Sequence, residues 1–472
     1  MTPQEFHKYI QQSTLRRKER DEAWRIYKAS GPQAAHDFVT DHESTVTQTR
    51  MNVALRSTPA PYGVWGQEYI EQGAINQMTN ASRLPVALAG ALLPDAHQGY
   101  GLPIGGVLAT ENEVIPYAVG VDIACRMMLT VYPTTGQVLT QPENPVCQAL
   151  KQALVENTIF GSGADGIHDG NIEHEILDEK NWTGTPLLRS LRLTAIRQIG
   201  TSGTGNHFVE WGELEVQDGN NPLQLAPGNY LALLSHSGSR GVGYKIADHY
   251  TRLAMAELSD LDQTVKHLAW LSLSREVGQE YWDAMQLAGA FASANHHVIH
   301  ARIANAMGLQ PIASVENHHN FAWREKIVVD GQERDAIVHR KGATPAGDGV
   351  LGVIPGTMAD FGYVVRGKGN PKSLNSASHG GGRQMSRSSA IKTITKEEQY
   401  AYLSKRGVTL IGGGLDEAPQ AYKPIQGVIQ AQSDLVDILA VFQPRIVRMA
   451  DATVSSFARK PVPVGIVDAE GD

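Results

Sequence analysis

The sequence predicts a mixed α+β fold: one large domain with several β-sheets, long glycine-rich loops around a candidate site, and peripheral helices. Three observations predict it. From Tyr62 onward the apolar runs are short and bounded by Gly, Pro and Asp. Longer helical patterns lie between them. Strands and helices do not alternate regularly and no fixed-period repeat is visible, which argues against a doubly wound or solenoid architecture. The implied organisation is a helical extension over residues 1–60, a main domain over 61–451 and a tail over 452–472.

Residues 3 to about 50 read as helical and polar, with Gln11, Arg16, Arg17, Lys18, Glu19, Arg20 and Asp21 and few apolar anchors. Thr2-Pro3-Gln4-Glu5 opens that stretch with a capping hydroxyl, a proline in the first turn and a glutamate three residues after the cap. Leu84–Leu93, Gly106–Thr110, Val114–Val121 and Met127–Val131 read as short buried strands. Ile327–Asp330 and Ala336–His339 read as a hairpin turning at Asp330-Gly331. Helical patterns cover about 146–156, 244–258 and 262–307, the last with a break expected near Gly278 or Gly289.

Composition narrows the class. Hydrophobic residues make up 42% and charged residues 19%, ordinary for a globular chain. No apolar run reaches the length of a membrane span, and the N-terminus lacks a secretory layout. Two cysteines, Cys125 and Cys147, could not organise 472 residues through a disulfide, so a reducing, cytoplasmic setting is expected. The 47 glycines cluster beside His, Asp and Arg, as where a backbone approaches a ligand closely. Net charge is −8, yet the stretch from His339 to Lys396 carries Arg340, Lys341, Arg366, Lys368, Lys372, Arg383, Arg387, Lys392 and Lys396 against only Asp348 and Asp360. A solvated face explains such a stretch; a phosphate-binding cleft in an acidic protein also does.

The chemistry-bearing segments share one pattern: a His or Cys at a strand end or beside glycines. Asp122-Ile123-Ala124-Cys125 closes an apolar run and can offer a carboxylate and a thiolate to one divalent metal. Alone, the pair reads more readily as a buried cysteine behind a turn aspartate, and it is the further segments that shift the balance. Asn206-His207 follows the loop Gly200–Gly205, with Glu210 beyond; no ribose-binding acid follows in a strand–helix unit, so this is not a dinucleotide fingerprint. His236-Ser237-Gly238-Ser239-Arg240 ends a strand and opens a helix, an anion-site arrangement. Glu316-Asn317-His318-His319-Asn320 comes next. In Ser378-His379-Gly380-Gly381-Gly382-Arg383, three glycines and the cations Arg383 and Arg387 surround a histidine able to attack phosphorus; a glycine-rich anion loop with a spectator histidine is the alternative. His296 and His300, spaced i,i+4 on a helix, lack the glutamate of a zinc-protease motif and read as surface or supporting residues.

In this order, these segments resemble the RtcB-type RNA ligases over roughly residues 62 to 450. The resemblance is carried by Pro94–Gly106, Val121–Cys125, Gly205–Phe208, His236–Arg240, His319-Asn320, His339–Thr344, Pro355–Met358, the His379 segment, and Asp416–Pro419 with Tyr422-Lys423. It implies that residues 61–451 form a catalytic domain. Asp122, Cys125, His207, His236 and His319 would hold two Mn²⁺ ions, with the cysteine bridging. His379 would be the nucleophile that takes GMP from GTP. Asp95, Asn206 and Glu210 would line the same site, Arg240 and Arg387 would bind phosphate, and Lys341 would lie nearby. Asn206, His319, Asn320, Pro355, Gly356, Thr357, Met358, His379, Gly380, Gly381, Gly382, Glu417 and Tyr422 would surround the nucleotide. The implied partners are RNA with a 3′-phosphate or 2′,3′-cyclic phosphate end and RNA with a 5′-hydroxyl, in tRNA splicing or RNA repair, with an archease-type activator in some members.

The chain departs from the family in three places. A closing Val-Lys-Gly, whose lysine touches guanine, is replaced by Arg448-Met449-Ala450, which leaves nucleotide choice to be tested. Arg126 stands where glycine usually follows the cysteine, and the first sixty residues have no family counterpart. Together these point to a divergent branch engaged in RNA repair. Two other classes compete: a two-metal phosphoesterase that acts without GTP, and a non-catalytic RNA-binding subunit. The intact metal and nucleophile positions argue against the second.

Overall fold

The computed structural model describes residues 1–12, 17–49 and 53–451; the expected tail at 452–472 lies outside them. The chain separates into two compact units, residues 1–54 with 256–263 and the remainder.

The first unit is built on helices Pro3–Gln12 and Arg17–Thr49, the latter kinked at Gly31 ahead of Pro32. The capping exchange at its start is present: Glu5 N donates to Thr2 Oγ1 at 3.3 Å, and Thr2 N donates to Glu5 Oε2 at 2.7 Å. Its apolar anchors are more numerous than the polar texture suggested. Phe6, Ile10, Ala23, Ala35 and Val39 are fully buried or nearly so. Phe6 stacks on Tyr27 at 4.6 Å and meets Trp24 edge-on at 5.1 Å.

The larger unit is mixed α+β. Among the described residues a five-stranded sheet runs Tyr62–Val64, Ala87–His97, Ile104–Thr110, Gln332–Lys341, Asn320–Val329. A larger sheet runs Leu351–Ile354, Gly362–Gly367, Val436–Asp451, Phe208–Val216, Gly228–Ser237, Arg126–Tyr132, Ala313–His318, with Thr409–Gly413 added to Val436–Asp451. The hairpin turns at Asp330-Gly331, since Val329 pairs with Gln332 and both turn residues have positive φ, 52° and 75°.

Side chains alternate across the larger sheet and divide the core. Leu231, Leu233, Trp211 and Tyr132 face helices Pro145–Asn157 and Glu276–Met307. Leu234, Leu214, Met127 and Phe442 face the other way. A third cluster joins the two sheets, through Leu93, Val107 and Val338 on one and Ile354 and Val365 on the other.

Two expectations are corrected. Val114–Val121 is not a strand: Glu113–Val114 is a two-residue strand, and Pro116 then starts the short helix Pro116–Val119. Proline at a helix N1 position loses no hydrogen bond, whereas within a buried sheet it would lose one. The helical pattern over 262–307 begins only at Glu276 and runs unbroken to Met307. Gly278 does not break it; a Cβ there would lie 2.0 Å from Ser272 O, so the glycine permits close approach of the preceding chain.

Candidate metal centre and nucleotide pocket

Sheet register assembles the metal-ligand candidates. Arg126 pairs with Ser237 on one side and His318 on the other, so Cys125 emerges between His236 and His319. Phe208 pairs with His236, which brings Asn206-His207 to the same end of the sheet. Asp122 joins from the turn in which Cys125 N donates to Asp122 O at 3.1 Å, with Ala124 in the left-handed region (φ 57°).

The resulting cluster is buried and tight. Cys125 Sγ is 3.1 Å from His236 Nε2 and 3.4 Å from His207 Nε2, and His236 Nε2 is 3.2 Å from His319 Nε2. Cys125, His207 and His236 offer ligand atoms within 4.8 Å of one another. Asp122 Oδ2 lies 3.1 Å from His207 Nε2 but lacks hydrogen-bond geometry to any group among the described residues, and His319 Nδ1 is likewise buried and unpartnered. Orphaned donor atoms around a thiol fit a cation better than they fit a packed core.

His236 Nδ1 faces Asn206 O at 3.2 Å, so that ring donates to a carbonyl and turns the lone pair of Nε2 inward; His207 Nδ1 lies 2.9 Å from Ser202 O. Burial, then neighbouring His207, pushes the His236 pKa down to about 3. Burial would raise the Asp122 carboxyl, but His207 and Arg240 outweigh it and hold it below the usual range. Arg240 Nη1 reaches within 3.0 Å of His207 Nδ1. Its guanidinium occupies the space a side chain at Gly203 would need, the Cβ falling 1.9 Å from Nη2.

His379 follows strand Ser376–Ser378 and stands beside His319, with ring centroids 4.8 Å apart. Asp95, fully buried on strand Ala87–His97, accepts from His379 Nδ1 at 2.7 Å and from its backbone N–H at 3.0 Å. Burial raises the Asp95 pKa, and the opposing pull of His379 and Lys423 leaves it lowered. Gly382 makes the approach possible: its φ is +72° and a Cβ would fall 2.1 Å from Asp95 O.

A pocket opens to solvent beside His379 and His236. Of the residues expected around a nucleotide, Asn206, Pro355, Gly356, Thr357, Met358, His379, Gly380, Gly381, Gly382, Glu417 and Tyr422 line it. One buried carboxylate, Glu417, holds two guanidiniums: Arg383 Nη1 at 3.0 Å and Arg387 Nε at 3.0 Å, with Tyr422 also donating to it. The cluster keeps a surplus positive charge at the pocket wall.

Other expected residues lie elsewhere. His319 is behind His379 instead of on the pocket wall, and the Asn320 side chain bonds to backbone, to Asp122 O at 3.4 Å and from Gly342 N at 2.8 Å. Glu210 is buried deeper along its strand, outside the pocket lining, and burial raises its pKa well above the usual value. Lys341 donates to Tyr100 O at 2.7 Å and sits 5.7 Å from the Tyr117 ring centroid. His296 and His300 are not surface residues; both are buried against Ser235 behind the metal cluster.

Reading the sequence for the site missed His97 and Phe208, both on the pocket wall and both adjacent to flagged residues; Met449, which stands where the resemblance puts a lysine against guanine, also lines the pocket. Met449 faces the pocket, so Arg448 must turn to the opposite face, where it covers the Phe160 ring at 5.3 Å and pairs with Asp451.

Comparison with known proteins agrees with this geometry. The sequence model of the family described as "tRNA-splicing ligase RtcB" matches residues 77–450. The "RNA-splicing ligase RtcB" of Escherichia coli is 32% identical over 413 residues, covering 82% of this chain and 97% of that protein. The protein of that name from Mycobacterium tuberculosis is 32% identical over 428 residues, covering 78% and 98%. The "tRNA-splicing ligase RtcB" of Methanococcus maripaludis is 27% identical over 425 residues, covering 76% and 88%.

Proposed function

The chain belongs to the RtcB family, and from that premise we propose that it is a GTP- and Mn²⁺-dependent RNA ligase, joining a 3′-phosphate or 2′,3′-cyclic phosphate end to a 5′-hydroxyl end. The observation that carries this reading is the placement of His379. It is pinned by Asp95 at 2.7 Å, lies beside His319 with the rings tilted and their centroids 4.8 Å apart, and sits on the wall of the pocket lined by Thr357, Glu417 and Tyr422. A two-metal hydrolase does not require His379 as a nucleophile, whereas the ligase reading does.

With Nδ1–H committed to Asp95, the lone pair of His379 is on Nε2. Nε2 attacks the α-phosphorus of GTP, the bond to the bridging oxygen breaks, and pyrophosphate leaves. Asp95 holds the ring and stabilises the positive charge it gains. Arg383 and Arg387, held by Glu417, meet phosphate charge at the wall. Asp122, Cys125, His207, His236 and His319 would hold the metal, which supplies Lewis-acid stabilisation of the phosphoryl oxygens. An RNA 3′-phosphate oxygen, freed by prior opening where the end is cyclic, then takes the guanylate from His379. The 5′-hydroxyl attacks the activated 3′-phosphorus, and GMP departs with the bonding pair.

The test is incubation of the protein with α-labelled GTP and Mn²⁺, with ATP in parallel and His379→Ala alongside. An acid-labile label that disappears in the variant supports the reading. Opening of a cyclic phosphate with no protein label from either nucleotide would move the assignment to a metal phosphoesterase.

A further inference from the structure

Asp95 and His379 lie on separate strands, and a third segment holds both. Lys423 and Gln432 stand before and after the short helix Ile425–Gln430, and both are buried, Gln432 completely. The Lys423 ammonium donates to Pro94 O at 3.1 Å and to Ala96 O at 2.6 Å, the carbonyls on either side of Asp95. Burial lowers its pKa to about 8 against the pull of Asp95, so at neutral pH it keeps the protons those bonds need. Gln432 Oε1 accepts from Ser378 N at 2.9 Å, one residue before His379. Sheet ladders alone do not secure these positions. Leu92 pairs with Gly106 and His97 with Ile104, so residues 93–96 bulge opposite Gly105 alone, and such a bulge leaves backbone groups unpaired. The ladder between Ser376–Ser378 and Ala343–Pro345 ends at Ser378. Ile425, Val428 and Ile429 pack in one cluster with Leu93 and Ala377, the neighbours of Pro94 and Ser378, which anchors the helix to both strands.

We propose that Lys423 and Gln432 are positioning residues for the nucleophile, setting the separation at which Asp95 meets His379; the assignment rests on the reading of His379 as the residue that takes the guanylate. Asp95 Oδ2 accepts from both the backbone N–H and the ring Nδ1 of His379, so a shift of either strand alters both bonds. A displacement of about 1 Å at a reacting group can cost about 10²-fold in rate. Gln432 acts through its acceptor alone, because its Nε2 has no hydrogen-bond partner among the described residues. Glutamic acid in its place keeps that acceptor and methionine removes it. A packing role ranks the two the other way, since a buried site takes methionine more readily than a carboxyl group.

The experiment measures single-turnover transfer of label from α-labelled GTP and Mn²⁺ to the full chain, across GTP concentrations. It compares the parent with Gln432→Met, Gln432→Glu and Lys423→Met, with folding followed by circular dichroism. Gln432→Met and Lys423→Met are each expected to lower the maximal rate by about 10²-fold while the half-saturating GTP concentration stays within about twofold of the parent. Gln432→Glu is expected to recover the rate to within about threefold of the parent. A parental rate in Gln432→Met, or a Gln432→Glu slower than Gln432→Met, overturns the proposal. So does a loss carried by the half-saturating concentration with the maximal rate intact. If Gln432→Met fails to fold, Gln432→Asn takes its place: it draws the acceptor back by one methylene and is expected to slow transfer by about tenfold, and an unaltered rate there also overturns the proposal. A parent protein that takes no label from GTP or ATP sinks the ligase reading and this assignment with it, a result distinct from a labelled parent whose variants behave alike.

Discussion

Asp95 Oδ2 accepts two hydrogen bonds from one residue, from the backbone N–H of His379 at 3.0 Å and from its ring Nδ1 at 2.7 Å. The carboxylate thus fixes where His379 sits and which of its nitrogens is the nucleophile. Asp95→Asn keeps the shape but can present an N–H to Nδ1, which would favour the tautomer with its proton on Nε2. Single-turnover transfer of label from GTP is expected to fall by at least about 10²-fold, with metal affinity unchanged. Equal rates in the two proteins would show that the pairing does not set the tautomer.

The metal cluster makes a prediction that needs no turnover. Cys125 lies 3.1 and 3.4 Å from two imidazole nitrogens, so a bound Co²⁺ would show sulfur-to-metal charge transfer. Cys125→Ser should abolish that absorption and weaken Co²⁺ and Mn²⁺ binding by more than about 100-fold, beyond what outer contacts usually cost. A band that survives the substitution would assign the ligand set wrongly.

Behind His236 runs a hydrogen-bond chain with a single direction. His296 Nε2–H donates to Ser237 O at 3.0 Å, so its Nδ1 accepts from the Ser235 hydroxyl at 2.6 Å. Ser235 in turn accepts from His300 Nε2 at 2.8 Å, and His300 Nδ1 accepts from Thr130 at 2.7 Å. Because this chain anchors the strand that carries His236, Ser235→Ala is expected to weaken Mn²⁺ binding by about tenfold in calorimetric titration. An unaltered titration would confine the chain to packing.

The same burial sets a pH limit. His300 and His318 have pKa values lowered to about 3, and His339 to about 4, in each case chiefly by burial. His339 is fully occupied as a neutral ring, accepting from Ile115 N at 2.9 Å and donating to Leu108 O at 3.1 Å. The unfolded chain takes up these protons near pH 6.5 and the folded chain only near 3 to 4, so the unfolded state binds more protons in between. Stability should be full above about pH 6.5 and fall steadily toward pH 4. Denaturant midpoints of metal-free protein that stay flat across that window would contradict the buried neutral assignment.

What the sequence disclosed depended on whether the signal was local. The Asp330-Gly331 turn was legible because two positive-φ residues between apolar strands leave few alternatives. The His379 segment and Cys125 were legible from their glycines and neighbours. Pro116 was passed over inside an apolar run because hydrophobicity alone does not separate a buried strand from a buried turn of helix. The link from Ser235 to His296 and His300 could not be read, because it joins a strand to a helix about sixty residues away. Asn320 looked like a ligand-facing residue, yet its amide is used by the backbone at Asp122 and Gly342, which only the tertiary fold determines.

Met449 supplies the last prediction. It lines the pocket with Phe208 and Met358, while Arg448 points to the opposite face of the strand and pairs with Asp451. Among the described residues this wall is therefore apolar and offers no cation to the edge of a base. Guanine presents a carbonyl oxygen where adenine presents an amino group, so a hydrogen-bond donor there would favour guanine, and an apolar wall distinguishes the two weakly. Label transfer from ATP is expected to lie within about a hundredfold of that from GTP in the parent protein. Met449→Lys is expected to widen the GTP preference by about tenfold or more, through loss of ATP labelling. If the parent already rejects ATP completely and Met449→Lys changes nothing, base selection resides elsewhere in the pocket, and the apolar wall serves only to exclude water.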